Sequence, residues 1–207
     1  LYLFDTRRCR LRVLDQGSPK QTRKYRNLGE AMTKENCLAG VNGSYFNQSF
    51  FPLGTVIDSG RQIRGPGKSR LLTGTVVTDG NQAQMLWKGE QTTLRGLDVL
   101  QAGPRLVTGK VPIAGLSDKK QRRRTFVLTN GRGWWGIGVC RTVSLKELAE
   151  MLADRRLIPE IDVWRALNLD GGSSSAMWVR GNTGQASTYV REWSTVRNYL
   201  GVQALPK

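Results

Sequence analysis

Apolar residues recur along this chain in short runs, most of them alternating with polar positions and a few spaced for a helix. Residues 8–16 alternate basic with apolar side chains through Arg10, Leu11, Arg12 and Val13, the period of a half-buried strand whose outer face is strongly positive. The same reasoning predicts strands over 39–42, 54–58, 73–78, 83–87 and 105–108. Thr125 to Thr129 forms another, Asn130-Gly131 supplies a hairpin turn, and a return strand runs from Trp134 to Val139. Two capping signals predict helices. Asn27-Leu28-Gly29-Glu30 opens a short one to about Asn36, and Ser144-Leu145-Lys146-Glu147 opens one over Ser144 to Asp154, with Leu145, Leu148, Ala149 and Leu152 on one face.

The most informative stretch is Leu167-Asn168-Leu169-Asp170-Gly171-Gly172-Ser173-Ser174-Ser175. An apolar strand ends on one carboxylate, two glycines let a ligand approach the backbone, and hydroxyls follow. A second strand, Ala176 to Arg180, carries the chain away. The plainer reading, a tight turn with a solvated aspartate, uses the same residue types. Val41-Asn42-Gly43-Ser44-Tyr45-Phe46-Asn47 has a similar build, a strand end and a small-residue turn, and offers a second amide-lined wall for a pocket.

Composition narrows the chemistry. The 207 residues, 39% hydrophobic with 24 glycines and 7 prolines, suit one large strand-rich domain over residues 1–207, and no repeat or linker interrupts it. The net charge of +16 calls for an anionic partner: nucleic acid, an anionic membrane or cell-wall surface, or a phosphorylated small substrate. Charge alone does not rank these. The absence of histidine removes Ser-His-Asp and Cys-His devices and leaves acid and base work to carboxylates, lysine, tyrosine or water. Cys9, Cys37 and Cys140 lack metal spacing, and a Cys9–Cys37 bridge is geometrically open. The longest apolar run, Trp134 to Cys140, falls short of the roughly 20 residues that span a bilayer. The chain opens on Leu1-Tyr2, as a trimmed or processed product would, and shows no signal peptide.

Two further signals carry less. Gly131-Arg132-Gly133-Trp134-Trp135-Gly136 fits a dinucleotide fingerprint in letters but leads into a strand, where that site needs a helix. Lys119 to Arg124 is a basic run that reads as a solvated loop before a strand, with Arg124 the member placed to meet a ligand.

In their order and approximate spacing, Val41-Asn42-Gly43-Ser44-Tyr45-Phe46, Pro52-Leu53-Gly54-Thr55-Val56-Ile57, Gln101-Ala102-Gly103-Pro104-Arg105-Leu106-Val107, Arg124-Thr125 and Leu167 to Ser174 resemble the phosphodiester glycosidase family. The resemblance runs from about Cys9 to Ala204. The family includes the mammalian lysosomal uncovering enzyme, which removes N-acetylglucosamine from a sugar phosphodiester, and exported bacterial proteins. It often has Asn-Gly-Gly-Phe-Phe where this chain has Asn42 to Phe46, and a third glycine where this chain has Ser173.

The resemblance implies an α+β fold, a single domain of mixed β-sheets with a few short flanking helices. It implies a hydrolase that cleaves a sugar from a sugar-1-phosphodiester at the glycosidic C–O bond, periplasmic or secreted. Asp170, Asn42 and Arg105 are the expected catalytic group, and Gly43, Ser44, Arg124, Thr125, Asn168, Gly171, Gly172, Ser173 and Ser174 the expected substrate contacts. Arg105 and Arg124 would grip the phosphate by planar, bidentate contacts. Glycoside cleavage runs on carboxylates without histidine, and the second carboxylate stays open among Asp58, Asp98, Asp162 and Glu192. No cofactor or metal is expected, although a divalent cation at Asp170 would find oxygen ligands there. The expected partner is an anionic sugar-phosphate, with cell-envelope glycan possible and nucleic acid ranked lower. The rival class is a non-catalytic binding module for anionic polymer, nucleic acid or glycan.

Overall fold

The computed structural model describes residues 1–17, 23–92 and 94–206. Its strands are β1 (Tyr2–Asp5), β2 (Cys9–Asp15), β3 (Ala39–Asn42), β4 (Val56–Asp58), β5 (Arg61–Arg64), β6 (Gly74–Thr78), β7 (Ala83–Trp87) and β8 (Asp98–Ala102). They continue with β9 (Arg105–Thr108), β10 (Val111–Pro112), β11 (Arg122–Thr129), β12 (Trp134–Val143), β13 (Arg165–Asn168), β14 (Met177–Arg180), β15 (Ala186–Val190) and β16 (Asn198–Ala204). Two α-helices, α1 (Leu28–Lys34) and α2 (Leu145–Ala153), join them.

Three sheets result, in the orders β1-β12-β11-β13-β9-β10, β15-β14-β3-β16-β2 and β5-β4-β8-β6-β7. Every pairing among them is antiparallel, which corrects the expectation of mixed sheets. The three share one apolar interior, where Val41 and Leu200 of the second sheet meet Val127 and Leu167 of the first and Val76 and Leu100 of the third. Each helix then covers an outer face. Leu148, Ala149 and Leu152 of α2 pack on Leu106, Phe126 and Ala166, and Leu28, Ala31 and Met32 of α1 pack on Leu14, Trp178 and Tyr199. Each of the leucines, Met32 and Phe126 among them contributes about 1.5–3 kcal/mol by leaving water.

Local signals explain why the helices stand where they do. Ser144 accepts from the Glu147 amide while the Glu147 carboxylate accepts from the Ser144 amide, so the predicted capping box closes in both directions. Asn27 caps α1 by accepting from the Glu30 amide at 2.9 Å, but the Glu30 carboxylate reaches the Arg26 amide instead of its own cap.

Elsewhere tertiary contacts overrule the pattern. The basic face of β2 does not point into solvent: Arg10 donates to Gln203, and Arg12 donates to Asp98 of β8 at 2.8 Å and to Ser59 at 2.6 Å. Arg12 therefore knots the second sheet to the third. All three cysteines are free thiols, so Cys9 and Cys37 are not bridged. Burial pushes the Cys37 thiol up to about 12. Strand β11 starts at Arg122, so half of the basic run lies in the sheet and not in a loop. Strands β1, β5, β8, β10, β15 and β16 carry no clear sequence signal. The buried part of β16, Asn198 to Val202, runs on without alternation because both its faces are covered, and β15 is an exposed edge of small and polar residues.

Candidate active site

Strands β3 and β13 lie in different sheets, yet their C-terminal ends converge. Asn42, the last residue of β3, is fully buried, and its side chain spends both ends on the protein: Nδ2 donates to the Asp170 carbonyl at 2.8 Å, while Oδ1 accepts from Thr125 Oγ1 at 2.7 Å and from the Ala176 amide at 2.9 Å. One side chain thus ties β3, β11 and both ends of the Asp170 loop. Gly43 continues the join, accepting from the Asp170 amide at 3.0 Å and donating to the Asn198 carbonyl at 2.8 Å. A Cβ at Gly43 would sit 1.9 Å from Asn198 Oδ1, so any other residue would displace the Asn198 side chain. That same Oδ1 accepts from the Ser44 amide at 2.8 Å, leaving Ser44 buried beside it. Asn198 in turn follows Arg197, whose guanidinium grips Asp15 through two bonds of 2.9 Å.

The loop itself turns on Gly172, whose φ of +65° suits glycine and whose missing side chain leaves open space. Residues 172–174 form one turn of 3-10 helix. Gly171 is kept small from behind, since a Cβ there would lie 3.0 Å from the Arg123 carbonyl. Ser173 is exposed and pinned by the following strap: its carbonyl accepts from the Trp193 amide at 2.8 Å, and its hydroxyl accepts from Ser194 Oγ at 3.0 Å. Ser174 is buried and hydrogen-bonds to the Asp170 carboxylate.

Burial pushes the Asp170 carboxyl above the usual aspartate range, against the opposing pull of Ser174 and of the Gly171 amide at 2.9 Å. No arginine or lysine forms an ion pair with it among the described residues. Its charge also helps to push up the Tyr45 phenol, after burial, whereas Asn168 and Arg124 pull that phenol down. Asp170, Tyr45, Asn168 and Arg124 therefore share one electrostatic neighbourhood. Asn168 is buried and donates to Tyr45 Oη at 2.7 Å and to the Gly103 carbonyl at 3.1 Å, while its own Oδ1 has no protein partner. The Arg124 guanidinium donates to the Lys120 carbonyl at 2.8 Å and to the Val143 carbonyl at 3.3 Å, and burial lowers its pKa.

Beside the loop opens a cleft of about 760 Å³, walled by Gly172 and Ser173, the base of the β11–β12 hairpin, and the strap from Tyr189 to Trp193. Arg123 lines it. It donates to the Ser175 carbonyl and, at 2.9 Å, to the Arg191 carbonyl, and its guanidinium lies 4.6 Å over the Trp193 ring.

The structure therefore gathers eleven of the expected residues around one loop: Asp170, Asn42, Gly43, Ser44, Arg124, Thr125, Asn168, Gly171, Gly172, Ser173 and Ser174. Arg105 is the exception. Its guanidinium lies 5.6 Å over Trp87, a ring that Arg165 also approaches at 5.0 Å, and no hydrogen bond, ion pair or ring contact joins it to the Asp170 loop among the described residues. Of the other carboxylates, Asp98 and Asp58 sit in the Arg12 knot, and Asp162 pairs with Lys110 in a different cleft. Glu192 lies on the strap and accepts from the Leu28 amide at 2.7 Å, with Oε2 unpartnered. Among the described residues no group of three or more Cys, Asp or Glu is placed to hold a metal ion. Tyr45, Arg123 and Trp193 are the neighbours that the sequence reading did not single out. Tyr45 stood inside a quoted motif, whereas Trp193 is isolated in a polar stretch and gives no pattern at all.

The model of the family described as phosphodiester glycosidase matches residues 35–203. The chain belongs to that family. The matched span of this glycosidase-family chain contains both converging turns, the arginine-bearing β11 and the Asp170 loop. Among solved structures, the zebrafish N-acetylglucosamine-1-phosphodiester alpha-N-acetylglucosaminidase catalytic domain, auto-inhibited by its pro-peptide, is similar over 93% of this chain and 72% of its own, with a TM-score of 0.68 at 17% identity. A hypothetical protein from Synechocystis is similar over 97% of this chain and 58% of its own, with a TM-score of 0.66 at 15% identity. A Burkholderia pseudomallei protein, provisionally named as exported, covers 97% of this chain and 73% of its own, with a TM-score of 0.61 at 12% identity. At such identities these likenesses establish the shared fold. No curated protein matches the chain by sequence. No helix among the described residues is long and apolar enough to cross a membrane.

Proposed function

We propose that this family member hydrolyses a sugar-1-phosphodiester in the bacterial envelope or outside the cell, breaking the bond between the anomeric carbon and the phosphate oxygen. The observation that carries the reading is a desolvated carboxylate, Asp170, set among neutral donors at the meeting point of two sheets beside an arginine-lined cleft. A carboxylate without an ion pair keeps its charge for the substrate. As C1 loses the phosphate oxygen and gains oxocarbenium character, Asp170 supplies the opposing negative charge and accepts the proton of the attacking water. The bonding pair leaves with the phosphate oxygen. A phosphate monoester is a stable anion, so this departure needs no general acid and a single carboxylate suffices.

Arg124 is assigned to the phosphate, with its planar fork matched to two phosphate oxygens. Asn42 and Thr125 act as positioning residues, since their polar atoms are spent on holding the loop. The Gly172 and Ser173 amides of the turn supply the remaining polar contacts to sugar and phosphate. The periplasmic or secreted location rests on the resemblance to exported members of the family.

Hydrolysis in heavy-oxygen water tests the bond assignment. The label is expected in the released sugar; label in the phosphate product would make the protein a phosphoesterase. The rival reading, a non-catalytic module for anionic polymer, is favoured by the arginines of the cleft, and absence of turnover on a panel of sugar-1-phosphodiesters together with retained polymer binding would select it.

A further inference from the structure

Sixteen acidic side chains face thirty-two basic ones in this chain, and where the carboxylates go is informative. Arg7, Arg12, Arg155, Arg156, Arg165 and Arg197 each reach an Asp or Glu. The cleft beside the Asp170 loop is different. Arg122, Arg123, Arg141 and Arg191 all line it, no acidic side chain does, and none of the four forms an ion pair among the described residues. After burial, the Arg141 charge is the next cause that lowers the Arg123 pKa, and the Glu192 charge from the strap opposes it only in part.

A local irregularity builds this concentration. The pairing of β11 with β12 slips between Arg122 and Arg124, which face Val143 and Cys140. In a regular strand, adjacent side chains point to opposite faces; the extra residue of this bulge lies on β12, where Arg141 and Thr142 together stand opposite Arg123 and both line the cleft. At the lip, Trp193 is 77% exposed and holds its ring beside Arg123, an apolar face kept in water next to a cluster of cations.

We propose that this cleft is an extended subsite for a substrate with two or more phosphates in succession, an oligomer or polymer of sugar phosphates, with Trp193 stacked on a sugar ring between them. The inference rests on the glycosidase reading for the reacting bond at Asp170 and adds the chain that leaves it. One phosphodiester brings a single negative charge, which Arg124 answers. Arg122, Arg141 and Arg191 surround space for more, since about 760 Å³ lies in the upper half of the range for a site that encloses a whole drug-sized ligand.

The test compares a one-phosphate sugar-1-phosphodiester with a defined oligomer of three sugar phosphates, on the wild type and on the triple variant Arg122→Ala, Arg141→Ala, Arg191→Ala. These three arginines are exposed and without ion pairs, so the variant should stay folded, as its melting curve will show. For the wild type, kcat/KM on the trimer should exceed that on the one-phosphate substrate by about tenfold at low salt. The log-log salt slope should be about −2 for the trimer and shallower than about −1 for the one-phosphate substrate. In the triple variant both differences should vanish while the one-phosphate rate stays within twofold. Trp193→Ala should weaken trimer binding and leave the slope unchanged. Equal rates on the two substrates in the wild type, or a preference that survives in the triple variant, would overturn the proposal. Binding of the same trimer to Asp170→Asn protein, read by calorimetry, keeps the two ideas apart: tight, salt-steep binding without turnover by the wild type sinks the glycosidase reading and keeps the subsite. A single-stranded DNA trimer that competes as well as the sugar-phosphate trimer would replace the sugar-phosphate polymer with nucleic acid.

Discussion

Asp98 is fully buried and Asp170 half-buried, and burial pushes both carboxyls above the ordinary aspartate range. Their surroundings differ in one respect. Asp98 accepts from the Arg12 guanidinium at 2.8 Å and from the Ser59 amide at 2.8 Å, so its charge is answered inside the protein and serves to fasten two sheets. Asp170 meets only a hydroxyl and an amide, and its charge is left for something that arrives. The arginines divide in the same way, Arg12 bound to a carboxylate of another sheet and Arg197 to Asp15 of its own, Arg122, Arg141 and Arg191 unpaired around the cleft. A buried or concentrated charge therefore says little by itself, and the presence or absence of its partner separates a fastening from a site.

The comparison breaks first at Asp98. Asp98→Ala should cost about 3–5 kcal/mol of stability, because it strands the Arg12 guanidinium between the sheets. Urea unfolding measures this, and a loss below about 1 kcal/mol would mean that Asp58 and Ser59 hold Arg12 unaided.

Asp170→Asn should show the reverse profile. Turnover should fall at least ~10²-fold, the scale of one positioned acid or base, while the melting temperature holds or rises because an unanswered buried charge is gone. The pH dependence follows from the direction of the shift. A carboxyl raised in the folded state binds its proton more tightly there, so ionising it as pH climbs through the folded pKa costs stability. Wild type should therefore lose stability relative to Asp170→Asn between the ordinary aspartate range and neutrality, while its kcat/KM gains an acidic limb above that range. Near-normal turnover in the variant would reduce the loop to a structural turn.

Arg124→Lys keeps the charge and removes the fork. A loss of about 1–3 kcal/mol in transition-state stabilisation is expected, read as kcat/KM on a one-phosphate substrate. The smallest effect is expected at Arg105. Arg105→Lys retains a cation over Trp87, a contact of about 0.5–1 kcal/mol, and should leave kcat/KM within about threefold; a loss as large as that at Arg124 would bring Arg105 into the phosphate site after all.

Both helices were legible in the sequence, since Asn27 and Ser144 carry their capping chemistry within four residues, and β3, β7 and β9 were found at their observed limits. Asp170 was legible because a strand end, two glycines and serines are local features. What needed the tertiary structure was every decision between partners distant in sequence. Arg12 reads as an outward charge until β8 brings Asp98 against it, 86 residues away. Asn42 reads as a ligand-binding amide, and only the fold supplies Thr125, Asp170 and Ala176 as partners for its hydrogen bonds; Arg105 reads as a phosphate clamp, and only the fold shows its guanidinium 5.6 Å over Trp87. Periodicity and capping are fixed by neighbours a few positions apart, so the chain states them directly. Whether a buried polar group is satisfied depends on what the other sheet places opposite it, and only the assembled fold supplies that partner.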